Sequence, residues 1–399
     1  MNVFDELMQD VIEAGPGPNH VVRTNGVHPK GWEPGIAWDG RAGVLSTGPL
    51  AERPTDWNKL LEVWDLDPKV YEVIEPVQFR AWDAAVGEGR VQRMYYYKAP
   101  VITKRFGLTL DVEDMLDEIR HYKSRPIAHT TGPLSFVWMI ADLQVGKSDG
   151  DGTPGTMRRF LQAVEDIKER VKALRKLGRE IGTLYVAGVG DCIENVLGHY
   201  AQQLHRADLN MTQQVRVIRR LLVRSLKELC RYFDKVVIAA VPGNHGEAIR
   251  IDGKSATDFS DNWDVECFVQ AYEIISENPA FSHVSLVVPK GQDLTLTLDI
   301  GGTITTLAHG HQYPRAKDGA MLWWAKQAHG LQQAGMSTLL LSGHLHHLKI
   351  EQQGAKTFIQ APALDGGSDW FRNMTGQDSP AGTVTLVVGD GKWSDLAIL

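Results

Sequence analysis

Cysteine is scarce in this chain of 399 residues: there are three, at 192, 230 and 267, with no CxxC spacing. That excludes a disulfide framework and a zinc knuckle, and it suits a reducing compartment. No run approaches the roughly 18 apolar residues that a membrane helix needs. The opening MNVFDELMQD has no basic segment followed by an apolar one, so no secretory leader is read. A cytoplasmic protein with no membrane contact is the expectation. Internal repeats at roughly 20–50 residues and low-complexity tracts are also lacking, which sets aside solenoids and repeat arrays. Excess positive charge is missing too. A formal net charge of −7 argues against a generally basic nucleic-acid coat, but it leaves room for a local basic face.

What is present is ordinary for a globular protein, with 43% hydrophobic and 23% charged residues. The length suits two domains. Residues 1 to about 55 are rich in Gly, Pro and Asn and read as irregular chain. WNKLLEVWDLDPKVYEVI then reads as two short helices about a turn at Asp67-Pro68, and VQFRAWDAAVGEGRVQRMYYYKAPVI as a hairpin about Gly87-Glu88-Gly89. A small α+β accessory domain over 1–110 follows. DVEDMLDEIRHYKSRP is read as a connecting helix within 111–132, ended by Pro126. From 133 to 399 strands and helices alternate before a strand-rich end, which predicts a layered α/β domain with mixed sheets. LSFVWMIAD is continuous apolar text, as in a strand buried on both faces. Thr156 is placed as the cap of a long helix whose apolar positions are Phe160, Val164, Ile167, Val171 and Leu174. A further helix is expected over about 212–232 and another over 321–329.

The informative pattern is where the polar residues stand. Asp142 ends LSFVWMIAD, Asp191 ends LYVAGVGD, and Asn244-His245 ends VVIAAVPGNH. His309 ends TITTLAHG, and His344 and His346 follow TLLLSG. Five apolar strands each deliver Asp, Asn or His at the carboxyl end, where open α/β sheets bind ligands. Charge beside buried strands is costly unless it is paired or metal-bound, and carboxylate with imidazole suits first-row divalent ions. Glycines before Asp191, Asn244 and His344 permit close backbone approach.

In this order the motifs resemble the calcineurin-like metallophosphoesterase superfamily, which includes the Mre11/SbcD-type nuclease and phosphodiesterase branch. The resemblance covers roughly 133–365 and rests on Asp142, GDxxE from Gly190 to Glu194, GNH from Gly243 to His245, His309, and GHLH from Gly343 to His346. It implies a four-layer α-β-β-α sandwich and a phosphoesterase with two divalent ions, Mn first, with Mg, Fe, Ni, Co and Zn as alternatives. By position, Asp191 would bridge the ions, Asp142 and His346 would hold one, and Asn244, His309 and His344 the other. The family usually opens with Asp-x-His, whereas this chain has Asp142-Leu143-Gln144, so Gln144 is either a weaker ligand or a solvated amide. Two ions about 3.5–4 Å apart would acidify a bridging water and neutralise charge during in-line displacement. His245 is the candidate to assist the leaving oxygen, with Glu194 or Glu247 orienting it. His311 is a candidate phosphate contact, and it competes with His309 for the role of ligand.

The expected partner is a phosphoester: DNA, RNA or a nucleotide for a nuclease or phosphodiesterase. A phosphomonoester or cyclic nucleotide is the alternative, and a weakly catalytic binding protein on the same fold is a third reading. A homo-oligomer is compatible with the sequence. Arg216, Arg219, Arg220 and Arg224 read as a solvated helix face or as a track for phosphates. Arg90, Arg93 and Tyr95 to Lys98 in the hairpin suit either packing or base stacking. Cys192 is read as a buried filler, and Asp261-Asn262 as a helix cap.

Overall fold

The computed structural model describes residues 35–38, 42–50, parts of 52–103, 112–123, and 131–399 less 201, 252, 369–371, 374–375 and 377–378. The chain divides into two compact units, Met1–Thr109 and Leu110–Leu399. Among the described residues no helix is long and apolar enough to cross a membrane.

The first unit is an antiparallel sheet of β1 (Gly35–Trp38), β2 (Ala42–Ser46), β3 (Tyr71–Val73), β4 (Gln78–Ala85) and β5 (Val91–Thr103). The long β5 is its hub, paired with β2, β3 and β4. β4 and β5 are the expected hairpin, while its turn at 86–90, with Arg90, lies outside the described residues. KVYEVI departs from the expected second helix. Tyr71 and Val73 instead pair opposite Thr103 and Val101. An aromatic and a β-branched residue beside an open strand gain ladder bonds, whereas one isolated helical turn costs more than it returns. Two of the hairpin tyrosines are buried, whereas Phe79 is exposed. Tyr96 is buried and stacks on Trp82 at 4.6 Å, and Tyr97 meets Trp57 edge-on at 5.8 Å. Arg93 pairs with Asp83 at 3.2 Å.

The second unit begins with α1 (Val112–Arg120), whose Ile119 is fully buried. Asn278 holds its end by donating to the carbonyls of Ile119 and Tyr122 at 2.7 and 2.8 Å. There follow β6 (Leu134–Ile140), α2 (Gly152–Lys176), β7 (Ile181–Gly188), α3 (Met211–Leu229), β8 (Lys235–Ala240), the ribbon β9 (Arg250–Ile251) with β10 (Lys254–Ser255), and α4 (Trp263–Ser276). The strand-rich end comprises β11 (Val284–Val287), β12 (Thr295–Ile300), β13 (Thr303–Ala308), α5 (Gly319–His329), the turn α6 (Gln333–Met336), β14 (Leu339–Ser342), β15 (Lys349–Gln353), β16 (Lys356–Gln360), β17 (Val384–Gly389) and β18 (Lys392–Ile398).

These strands form a mixed α/β unit with two larger sheets, ordered β11-β8-β7-β6-β17-β18 and β12-β13-β14-β16-β15. β11, β8, β7 and β6 run parallel, as do β13, β14 and β16. One core joins both sheets: Val137, Met139, Ala187 and Ala239 belong to the first, and Leu307, Leu341 and Ile359 to the second. The alternate residues of β6 are buried on its other face, where Trp138 meets Phe160 of α2 at 5.3 Å. Burial on both faces accounts for the unbroken apolar text of that strand. On the far side of the second sheet, Leu340 and Phe358 pack with Met321 and Trp324 of α5.

α2 starts at Gly152, four residues before the expected cap, and Thr156 is buried inside it. Asp208 supplies the missing cap from a distant loop, accepting from Thr153 N at 2.8 Å and Thr153 Oγ1 at 2.7 Å. A tertiary cap leaves no local signature to read. The cap of α4 is local, with Asn262 accepting from Asp264 N at 3.0 Å.

Candidate metal centre

β6, β7 and β14 end in turns that bend the chain abruptly. Asp142, Gln144, Asp191, His344 and His346 all have positive φ, between 40° and 79°. Asp and His are among the side chains that enter this region at moderate cost, and such strain gathers where a site dictates the direction of a side chain. The neighbouring glycines let the loops close. A Cβ on Gly243 would lie 2.2 Å from Asp191 Oδ1, and one on Gly190 would lie 2.7 Å from His309 Nδ1.

Four expected ligands converge. His309 Nε2 lies 2.9 Å from Asp191 Oδ2, 3.1 Å from Asn244 Oδ1 and 3.2 Å from His344 Nδ1. Asp191, His309 and His344 offer donor atoms within 4.8 Å of one another. His309 Nδ1 donates to Val189 O at 2.8 Å, which fixes the ring and turns Nε2 towards the cluster. His311 stands apart, with its ring centre 5.5 Å from that of His309 and its Nδ1 buried without a hydrogen-bond partner among the described residues. Burial, then the charge of His309, pushes His311 down to about 3.

Charge in this cluster is compensated internally. Burial alone would raise the Asp191 carboxyl, but the His309 and His245 rings hold it well below the usual range. Burial opposes charge on His309, and Asp191 overrides it, raising that ring to about 9. His344 is pushed down to about 4, first by burial and then by His309. The cluster therefore carries one imidazolium whose proton a divalent ion would displace.

The remaining expected ligands form a neighbouring set. Asp142 is fully buried, and its Oδ2 accepts from His344 N at 2.8 Å. Its Oδ1 has no hydrogen-bond partner among the described residues and faces His346 Nε2 at 3.4 Å. Gln144 Oε1 accepts from Lys147 Nζ at 3.1 Å, and Lys147 also pairs with Asp365. Carboxylate, imidazole and amide are donor types that a first-row divalent ion accepts, but the amide oxygen of this set is already engaged by Lys147.

His245 borders the centre, its backbone N donating to Asp191 Oδ1 at 2.8 Å. Its ring Nδ1 donates to Glu194 O at 2.8 Å, so a proton passed to a leaving group must travel through Nε2. The His199 ring stacks on it at 4.0 Å. Glu194 orients His245 through its backbone, while its carboxylate accepts from Tyr200 at 2.6 Å. Glu247 pairs with Arg250 instead. Cys192 is a buried thiol pushed up by burial, as a filler would be.

Three site residues escaped the sequence reading. Asp264 accepts from the backbone N of Asp191, Cys192, Ile193 and Gly243, at 2.8, 2.8, 3.3 and 3.1 Å, tying two ligand loops together. Burial, then the charge of Asp191, raises its carboxyl to about 6. Lys147 had a signal in its spacing from Gln144. Asp365 had one too, because it follows the apolar β16, but Pro362 interrupts the run.

Two depressions flank the centre, of about 1100 and about 630 Å³, and both are lined by His344 and Leu345. Along the larger, Lys254, Arg315 and Lys317 are exposed. The smaller is lined by His245, Lys147 and Arg206. Arg216, Arg219, Arg220 and Arg224 line neither. Arg219 contacts Gln270 of α4 at 3.3 Å, and Arg224 pairs with Glu228 at 2.8 Å.

Neither a protein-family model nor a curated protein sequence matches the chain. Solved structures align at low overlap. Vacuolar protein sorting 29 from Cryptosporidium parvum is 16% identical, with 67% of this chain and 97% of that chain covered, at a TM-score of 0.30. An archaeal phosphodiesterase is 12% identical, with 66% and 99% covered, at 0.31. A predicted phosphoesterase from Streptococcus pneumoniae is 13% identical, with 45% and 82% covered, at 0.25. Overlaps this small assign no chemistry to the chain.

Proposed function

We propose that the chain is a metal-dependent phosphoester hydrolase of the calcineurin-like type, acting on phosphodiesters in nucleic acid or nucleotides. The observation that carries this is the convergence of Asp191, Asn244, His309 and His344, delivered from four separate strand ends. We read the packing of helices outside two sheets with a shared core as the four-layer sandwich of that superfamily. A divalent ion bound there, Mn²⁺ by preference, would supply Lewis-acid stabilisation and an acidified water. In a two-ion form, Asp142, Gln144 and His346 would be the second holder, with Asp191 between.

The chain's own residues have separable tasks. His309 and Asp191 fix the ligand geometry, with Asp264 bracing the Asp191 and Gly243 loops from behind. His245 delivers a proton to the leaving oxygen through Nε2. Lys254, Arg315 and Lys317 attract a polyanion along the larger depression. That the two depressions share His344 and Leu345 favours a substrate that continues past the scissile phosphate, which supports a diester of the Mre11/SbcD kind over a small monoester. The unit at 1–110 is then an accessory domain that helps select substrate.

Hydrolysis of bis-p-nitrophenyl phosphate, p-nitrophenyl phosphate and a single-stranded oligonucleotide with Mn²⁺ tests this. Diester and oligonucleotide cleavage, lost in Asp191→Ala and His245→Ala, is the expected result. Cleavage of the monoester alone would favour a phosphomonoesterase. Bound Mn²⁺ without turnover on any of the three would favour a binding protein.

A further inference from the structure

Lys147 follows by three residues the position where this chain has Gln144 in place of the superfamily's usual histidine. Its side chain is 10% exposed, and that of its partner Asp365 is 4% exposed. Its Nζ contacts Asp365 Oδ2 and donates to Gln144 Oε1 at 3.1 Å. Asp365 Oδ2 lies 3.8 Å from His346 Nδ1, and His346 Nε2 lies 3.4 Å from Asp142 Oδ1. The ammonium thus touches Gln144 directly and connects with His346 and Asp142 only through Asp365.

Two physical consequences follow. The amide oxygen is the atom by which Gln144 would bind a metal, and the ammonium engages it. A divalent ion among Asp142, Gln144 and His346 would also find the Asp365 carboxylate already paired with a fixed ammonium, in a poorly solvated place. Lys147 nevertheless lines the smaller depression beside Arg206 and His245, so its one remaining donor hydrogen is within reach of a ligand there.

We propose that Lys147 replaces one of the two ions. The centre then holds a single divalent ion at Asp191, Asn244, His309 and His344. The Lys147 ammonium, aimed by Asp365 and Gln144, meets a phosphoryl oxygen of the substrate from the other side. Lys147 forms no covalent bond; it donates a hydrogen bond to charge that develops on that oxygen. The inference rests on the phosphoester reading and specifies how that site is charged.

The test is Mn²⁺ binding by the full chain, followed by calorimetry and by electron paramagnetic resonance. About one equivalent per chain with an uncoupled six-line signal is expected, because one donor set accepts the ion. Binding is expected to be lost in His309→Ala and retained at the same stoichiometry in His346→Ala. Gln144→His combined with Lys147→Ala restores the imidazole and removes the ammonium, so uptake is expected to rise to about two equivalents. With one ion bound, Lys147→Met is expected to lower kcat on bis-p-nitrophenyl phosphate about 10²-fold, the scale of one lost preorganised donor. Two equivalents in the wild type with a spin-coupled signal would overturn the proposal and leave the phosphoester reading intact. A folded double variant that binds one ion, or an undiminished kcat in Lys147→Met, would overturn it as well. Wild-type protein that binds no Mn²⁺, or hydrolysis indifferent to Mn²⁺, would instead sink the reading on which it rests.

Discussion

The two halves of the centre are made at the carboxyl ends of interior strands, yet they balance their carboxylates by different means. Around Asp191 the counter-charge is an imidazolium, His309, which is fully buried and hydrogen-bonded to a backbone carbonyl. Around Asp142 and Asp365 it comes from His346, which is 32% exposed, and from the Lys147 ammonium. An imidazole gives up its proton to a metal near neutral pH and then becomes a ligand, whereas an ammonium has no lone pair to offer while charged. The difference teaches that a ligand count taken from residue types overstates what a site can hold, because a neighbouring cation can already occupy the same electrostatic role.

The sharpest way to break the contrast is to delete one imidazole from each half. His309→Ala is expected to abolish stoichiometric Mn²⁺ binding and to lower diester hydrolysis by at least about 10³-fold, the upper range for one preorganised electrostatic element. His346→Ala is expected to cost less, and equal losses would erase the contrast. Asp264→Ala addresses the bracing of the first half. Leaving four backbone N–H groups behind Asp191 and Gly243 without their acceptor should destabilise the fold by about 3–5 kcal/mol, read by urea denaturation. A change under about 1 kcal/mol would mean that water replaces the carboxylate.

A third measurement concerns protons. The His309 ring, raised to about 9, is charged at neutral pH in the metal-free protein, while His344, lowered to about 4, is already neutral. Metal must displace one proton, so affinity for Mn²⁺ should rise about tenfold per pH unit from pH 6 towards 9 and then level off. Calorimetry in buffers of different ionisation enthalpy should count about one proton released per ion. A count of two would mean that His344 also starts protonated. The smallest effect is expected from His199→Ala. Losing the ring stacked on His245 should lower kcat by about 2–10-fold with KM unmoved, since such ring pairs contribute about 0.5–1.5 kcal/mol. A shift in KM alone would assign His199 to substrate contact.

Much of this cluster could be read in the sequence because each of its candidate ligands has a local signature. An apolar strand that runs into Gly-Asp, Gly-Asn-His or Gly-His-Leu-His states its own anomaly, and Asp191, Asn244, His309 and His344 come together as that anomaly suggests. The choice between His309 and His311 needed coordinates, because both lie in the same turn and only the bond to Val189 decides which ring faces Asp191. Asp264 was hidden by its position, being inside the first turn of a helix where an acidic residue is unremarkable. Asp208, as the remote cap of α2, and Asp365, as the partner of Lys147, act across long sequence separations and leave no periodic trace. The strand at Tyr71–Val73 was misread for a related reason: its pairing partner β5, rather than its own composition, makes it a strand.

The backward-bent turns at the strand ends carry a consequence for how this protein would tolerate substitution. At Asp142, Gln144, Asp191, His344 and His346 the backbone adopts a conformation that glycine enters without steric cost. Replacing Asp142 or Asp191 with glycine would relieve the backbone there, yet it would strip the acceptor from His344 N or His245 N, so the strained corner and the hydrogen bond it aims are kept together.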